Sequence, residues 1–145
     1  MKNLILFISI FVNIFGVLHA ETLITQQEAK LSPAANTHST RGISRGPAVI
    51  ILSPNMTNGH LKSPFDLKIQ FESRGGNKID LSQVKVTYLK SPEVDLTDRL
   101  KNAITEKGID FSQAEVPQGE HAIKILIKDK DGRETATVLN FTVAK

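Results

Sequence analysis

The sequence predicts an all-β domain, an antiparallel sandwich with one short helix in a connection. Apolar residues recur at every second position in several short runs, and Gly-, Pro- and Asn-containing turns separate these runs. Nowhere do strand and helix patterns alternate as a parallel sheet requires. The clearest run comes last. Ile123, Ile125 and Ile127 share one face while Lys124 and Lys128 share the other, Asp129-Lys130-Asp131-Gly132-Arg133 turns the chain, and Leu139, Phe141 and Val143 bring it back.

At 145 residues the chain is about one domain long. Met1–Ala20 reads as a secretory signal peptide, with Lys2 as the charged n-region, Leu4–Val17 as the apolar core and Leu18-His19-Ala20 as the small-residue end before Glu21. The competing reading is an uncleaved anchor. Asn13 interrupts the run, which is shorter than the ~20 apolar residues of a spanning helix, so the expectation is no stable membrane insertion once the leader is removed. The chain has no cysteine, which removes disulfides, thiolate nucleophiles and Cys-ligated metals together and points to a bacterial periplasmic or secreted protein. The formal charge of +3 is a weak signal. Loss of Lys2 lowers it by one, and from Pro47 onward the acids and bases nearly cancel, so charge gives no case for a nucleic-acid partner.

Glu21–Gly46 has Leu23, Ile24, Leu31 and Ile43 as its only large aliphatic residues, set among Ser, Thr, Gln and Asn without helical or alternating spacing. It reads as a flexible polar tail. Within it, Gly42-Ile43-Ser44-Arg45-Gly46 matches the G-x-S-x-G nucleophile elbow. That chemistry needs the Ser on a strained turn between a buried strand and a helix, whereas polar residues precede this one and Pro47 follows.

The folded domain is expected from Pro47 to Lys145. Ala48–Leu52 is a continuous apolar strand ended by Ser53-Pro54, with a turn at Asn58-Gly59. Because it is apolar on both parities, something beyond its own sheet should cover one face, either the Asp95–Gly108 segment or a partner. Phe65, Leu67, Ile69 and Phe71 alternate with Asp66, Lys68, Gln70 and Glu72, and Gly75-Gly76-Asn77 ends that strand. Val84, Val86 and Tyr88 repeat the pattern over Gln83–Lys90. Leu96, Leu100 and Ile104 recur at helical spacing, so a short helix is expected within Asp95–Gly108, capped by Asp95 or Thr97 and stopped at Lys107-Gly108. Ile109 and Phe111 then differ in parity from Ala114 and Val116, which implies a bulge near Ser112-Gln113.

The first strand ending in Ser53-Pro54, the Pro117-Gln118-Gly119-Glu120-His121 lead into a long apolar strand and the Asp129–Arg133 hairpin together resemble bacterial immunoglobulin-like and fibronectin type III-like domains. The resemblance covers Pro47–Lys145 and implies an immunoglobulin-like β-sandwich. Such domains serve as spacers, adhesin modules and binding accessories, so it implies little about function. His121 stands near where these domains often carry a corner tyrosine, a place from which a side chain hydrogen-bonds back to the connecting loop.

No catalytic, cofactor or metal residue is assigned. His60 and His121 are the domain's two histidines and lack ligand spacing. Asp129-Lys130-Asp131-Gly132 looks like the start of a calcium loop, but a bidentate Glu is missing at position 140, which is Asn140, and Asp-Gly already suits a hairpin. Asp80, Asp95 and Asp98 lie in connections and could meet as a carboxylate pair. Without Trp, and with Phe65, Phe71, Tyr88 and Phe141 expected inward and only Phe111 outward, the domain offers no aromatic shelf for sugars or single strands. Asn55-Met56-Thr57 and Asn140-Phe141-Thr142 match the glycosylation pattern, which a bacterial protein would carry by chance. The function expected is a non-catalytic exported module that contacts an envelope or surface protein. The alternatives are a small hydrolase built from loop acids and a spacer without a specific ligand.

Overall fold

The computed structural model describes residues 19–35, 45–55 and 59–145. The apolar core of the leader, Gly42–Ser44 of the G-x-S-x-G match, Met56-Thr57 and Asn58 lie outside these residues. Two sheets face each other. The first has the order β1-β9-β4-β3, from β1 (Glu21–Thr22), β9 (Gly108–Glu115), β4 (Phe65–Glu72) and β3 (Ala48–Ser53), with β8 (Ile104–Thr105) also on β9. The second has the order β11-β10-β5-β7, from β11 (Glu134–Val143), β10 (Gly119–Lys128), β5 (Lys85–Tyr88) and β7 (Val94–Asp95). A short ribbon pairs β2 (Ser32–Pro33) with β6 (Lys90–Ser91). The result is the expected all-β sandwich, antiparallel except where β1 runs parallel to β9 and where Leu61 bridges Val143 of β11.

Alternation builds the core. Leu67, Ile69 and Phe71 of β4 and Ile109 and Phe111 of β9 meet Val86 and Tyr88 of β5, Ile123, Ile125 and Ile127 of β10, and Leu139, Phe141 and Val143 of β11. The terminal hairpin pairs without interruption from Gly119↔Val143 to Lys128↔Glu134. The expected bulge is present. Between Phe65↔Ala114 and Leu67↔Phe111, β4 contributes only Asp66 while β9 contributes Ser112 and Gln113, and Gln113 has φ +55° with its N–H on Asp66 Oδ1 at 3.0 Å. The extra residue lets Phe111 and Ala114 both face the core. Phe111 is buried, which corrects its outward assignment.

The tail assignment is corrected as well. Glu21–Ala34 is built into the sandwich, with Leu23 and Ile24 fully buried and both of their N–H groups on Glu115 O. α1 (Gln26–Ala29) opens with a capping box, in which Thr25 Oγ1 accepts from Glu28 N and Glu28 Oε2 accepts from Thr25 N. Average composition hid this. Two adjacent aliphatic residues are enough when a cleft receives both, each adding about 1.5–3 kcal/mol on burial.

The expected helix shrinks to one turn, α2 (Thr97–Leu100), which buries Leu96 and Leu100. Its N-cap position is Leu96, without a side-chain cap bond, in place of the expected Asp95 or Thr97; Asp95, one residue earlier, accepts from Thr97 N at 2.9 Å. The remainder becomes the β8–β9 hairpin, because a single helical turn gains little by itself while strand pairing along β4 gains a bond at every second residue. Gly108, expected as a helix stop, instead opens β9 with φ +148°, and a Cβ there would collide with the Ile69 carbonyl. The Gln83–Lys90 strand is shorter than expected. A 3₁₀ turn occupies Leu81–Gln83, and β5 ends at Tyr88 before the separate β6.

Candidate functional site

Of the titratable groups that could carry chemistry, Asp80, Asp95, Asp129 and His121 are engaged in holding the fold. Asp80 accepts from the hydroxyl and N–H of Ser82, which lower its pKa, and Asp95 accepts from the N–H of Thr97, the residue that lowers its pKa. Asp98 is exposed in the turn of α2. No hydrogen bond or ion pair joins any two of these three carboxylates among the described residues. Asp129 is buried, and its oxygens accept from Asp131 N, Arg133 N and Arg133 Nε at 2.9–3.0 Å. Its lone pairs are spent closing the hairpin, where Gly132 takes φ +81°.

His60 is exposed, whereas His121 is buried between Tyr88 and Phe141. The Pro117 carbonyl, 2.8 Å from Nε2, can only accept, so Nε2 carries the proton and Nδ1 accepts from the Tyr88 hydroxyl at 2.8 Å. Burial comes first in holding the imidazole below its ordinary pKa, and the nearby Lys90 charge acts in the same direction against the Pro117 bond. Burial also pushes the Tyr88 hydroxyl up to about 12. His121 therefore ties its strand to the Pro117 loop, the corner-residue geometry that the sequence suggested. Lys90 Nζ sits 5.3 Å from the centroid of the Tyr88 ring and donates to Ala29 O at 3.0 Å, which joins this cluster to the N-terminal segment.

The second tie on that segment was not foreseen. Arg99 forks onto Glu28, donating from Nη1 to Oε2 at 2.9 Å and from Nη2 to Oε1, and Nη1 also reaches Leu23 O at 2.7 Å. This guanidinium holds Glu28 down to a pKa of about 2. The signal available in the sequence was Thr25-Gln26-Gln27-Glu28, the S/T-x-x-E pattern of a capping box.

The surface least explained by the fold lies along β3. Val49 and Ile51 face the core, whereas Ile50 and Leu52 face outward with 37% and 57% of their surface exposed. Leu52 borders a groove of about 440 Å³ whose other lip is Glu106-Lys107-Gly108. The Asp95–Gly108 segment thus approaches the strand without covering it.

Hydrogen-bond phase shows which backbone groups of β3 are open. Phe71 N–H bonds to Lys107 O, so odd-numbered residues of β4 turn toward β9 and even-numbered ones toward β3. Ile50↔Gln70 and Ala48↔Glu72 are then the bonded pairs, and Val49 and Ile51 turn their N–H and C=O groups to the open side. Edge strands are ordinarily blunted by charge. This one carries no charged residue from Ala48 to Ser53, only a bulge near Leu52 and Pro47 and Pro54 at its ends.

No family model matches this chain. No curated protein matches it either. Among solved structures it is similar to the crystal structure of CopC from Methylosinus trichosporium OB3b, at 17% sequence identity and a TM-score of 0.42, over 66% of this chain and 93% of that one.

Proposed function

We propose that the protein is a non-catalytic exported module that makes protein contacts in the bacterial envelope or at the cell surface, and that β3 is its contact strand. The observation that carries this reading is an uncharged edge strand with Ile50 and Leu52 exposed and the backbone groups of Val49 and Ile51 turned outward. Strand addition to such an edge supplies main-chain hydrogen bonds, and alternate side chains supply selectivity. The non-catalytic part is supported by the structural engagement of His121, Asp80, Asp95 and Asp129. Export is supported by the charged, apolar and small-residue order of Met1–Ala20.

Capture from envelope extract with the wild-type chain and with an Ile50→Lys, Leu52→Lys variant tests the reading. Capture should be lost in the variant and should change little between low and high salt, because the strand is uncharged. Equal capture by both chains would show that contacts lie elsewhere. Deleting Glu21–Gly46 is not a usable control, since it removes Leu23 and Ile24 from the core.

A further inference from the structure

Building on the reading of β3 as a contact strand, we infer that its partner is a second copy of this chain, paired β3 to β3 in antiparallel register about a two-fold axis at Ile50. The register follows from the open groups. Val49 and Ile51 lie on either side of Ile50, so a two-fold axis there sets Val49 of each copy opposite Ile51 of the other. Each such pair exchanges both N–H···O bonds, giving four in all, and no other residue spacing is needed. Ile50 faces Ile50 of the second copy as the close, non-hydrogen-bonded pair, and Ala48 faces Leu52.

Side chains and charges agree with this register. On the outer face the exposed Ile50 and Leu52 cover their counterparts, and on the inner face the partly buried Val49 and Ile51 extend the core across the seam. No charge opposes another at any paired position. One strand further out, Glu72 pairs with Ala48, and Lys68 pairs with Ser53 beside Leu52. The antiparallel rows therefore run from Glu72 of one copy to Lys68 of the other, of opposite sign, while a parallel arrangement would set like charges in one row. Three strand spacings separate them, about 14 Å, so screening leaves this a bias on orientation and a minor source of affinity.

Of the other edges, β1 and β7 are two residues long, and β11 is met by its own chain at both ends. Gly46 abuts Glu134 and Thr135, and Leu61 pairs there with N–H on Thr142 O at 2.7 Å and C=O on Ala144 N at 2.8 Å. The β3 seam is short, bounded by Pro47, Pro54 and the bulge, and offers four main-chain bonds. The dimer is consequently a weak one, populated as concentration rises.

The full chain, produced with its leader and purified, supplies the material. Sedimentation equilibrium should show the mass rising from one copy to two with concentration, and Ile50→Lys should hold it at one copy while leaving the melting curve in place. The absence of cysteine makes single-Cys variants clean reporters. Directly opposed non-hydrogen-bonded residues have Cβ atoms ~4.5–5.5 Å apart, near the spacing of a disulfide, so Ile50→Cys should form a covalent dimer under mild oxidation and Val138→Cys on β11 should not. A mass of one copy at all concentrations together with no Ile50→Cys dimer would overturn the inference, as would covalent dimers through Val138→Cys alone. If Ile50-dependent capture from extract persists in that case, the contact-strand reading stands with a different partner. If capture is also indifferent to Ile50, both fall.

Discussion

The Glu28→Gln substitution separates an N-terminal segment held by its clamp from one that merely rests on the sandwich. The wild-type carboxylate receives Arg99 through both oxygens and the Thr25 N–H through one, which brings its pKa from 4.5 to about 2. At ~1.36 kcal/mol per pKa unit that difference corresponds to at most about 3.4 kcal/mol. The Arg99 and Glu28 side chains keep 32% and 17% of their surface exposed, and solvent screening brings the expected effect to about 1–2 kcal/mol. The sign follows from linkage. A carboxylate whose folded pKa is depressed adds stability fully above the unfolded pKa near 4.5, and this is lost as pH falls through the folded value near 2. Urea unfolding at pH 7 should show Glu28→Gln less stable by that amount, and the gap should narrow steadily between pH 4.5 and pH 2. Amide exchange should also quicken at Leu23, whose N–H bonds to Glu115 O. Equal stability at pH 7, or a gap that does not change with pH, would refute the clamp.

Four other outcomes are expected. Ile125→Ala should cost about 2–4 kcal/mol, because Ile125 is fully buried, and Lys124→Ala on the opposite face within about 0.5, as read from denaturation midpoints. The depressed His121 pKa should make stability begin to fall as pH drops below the unfolded value near 6.5 and go on falling until the folded value is passed. Tyr88→Phe, which leaves Nδ1 without its donor, should cost about 1–3 kcal/mol at pH 7 by thermal melting. Calcium and zinc should leave the melting temperature unchanged, since Asp129 is occupied by the hairpin; a rise of several degrees reversed by chelator would contradict this.

Period-2 alternation by itself determined the strands at Phe65–Phe71 and Ile123–Val143, because a half-buried strand imposes one rule on every residue and many residues report it. The bulge at Ser112-Gln113 was legible for the same reason, as a break in that rule. The corner role of His121 was suggested only by the resemblance to immunoglobulin-like domains, and its tautomer needed the Pro117 carbonyl. Asp95–Gly108 was misread because Leu96, Leu100 and Ile104 satisfy helical spacing equally well as one turn followed by a strand, and only the neighbouring β4 decides between the two. Tertiary structure alone decided the burial of Leu23 and Ile24 and the pairing of Glu28 with Arg99. Two aliphatic residues make no period, and their burial depends on a cleft and an arginine supplied by residues more than 70 positions away. The open phase of β3 belongs to the same class. Which of Val49 and Ile50 turns its backbone outward is set by the pairing of β4 with β9, and a chain read alone carries no record of which neighbour has already taken each hydrogen bond.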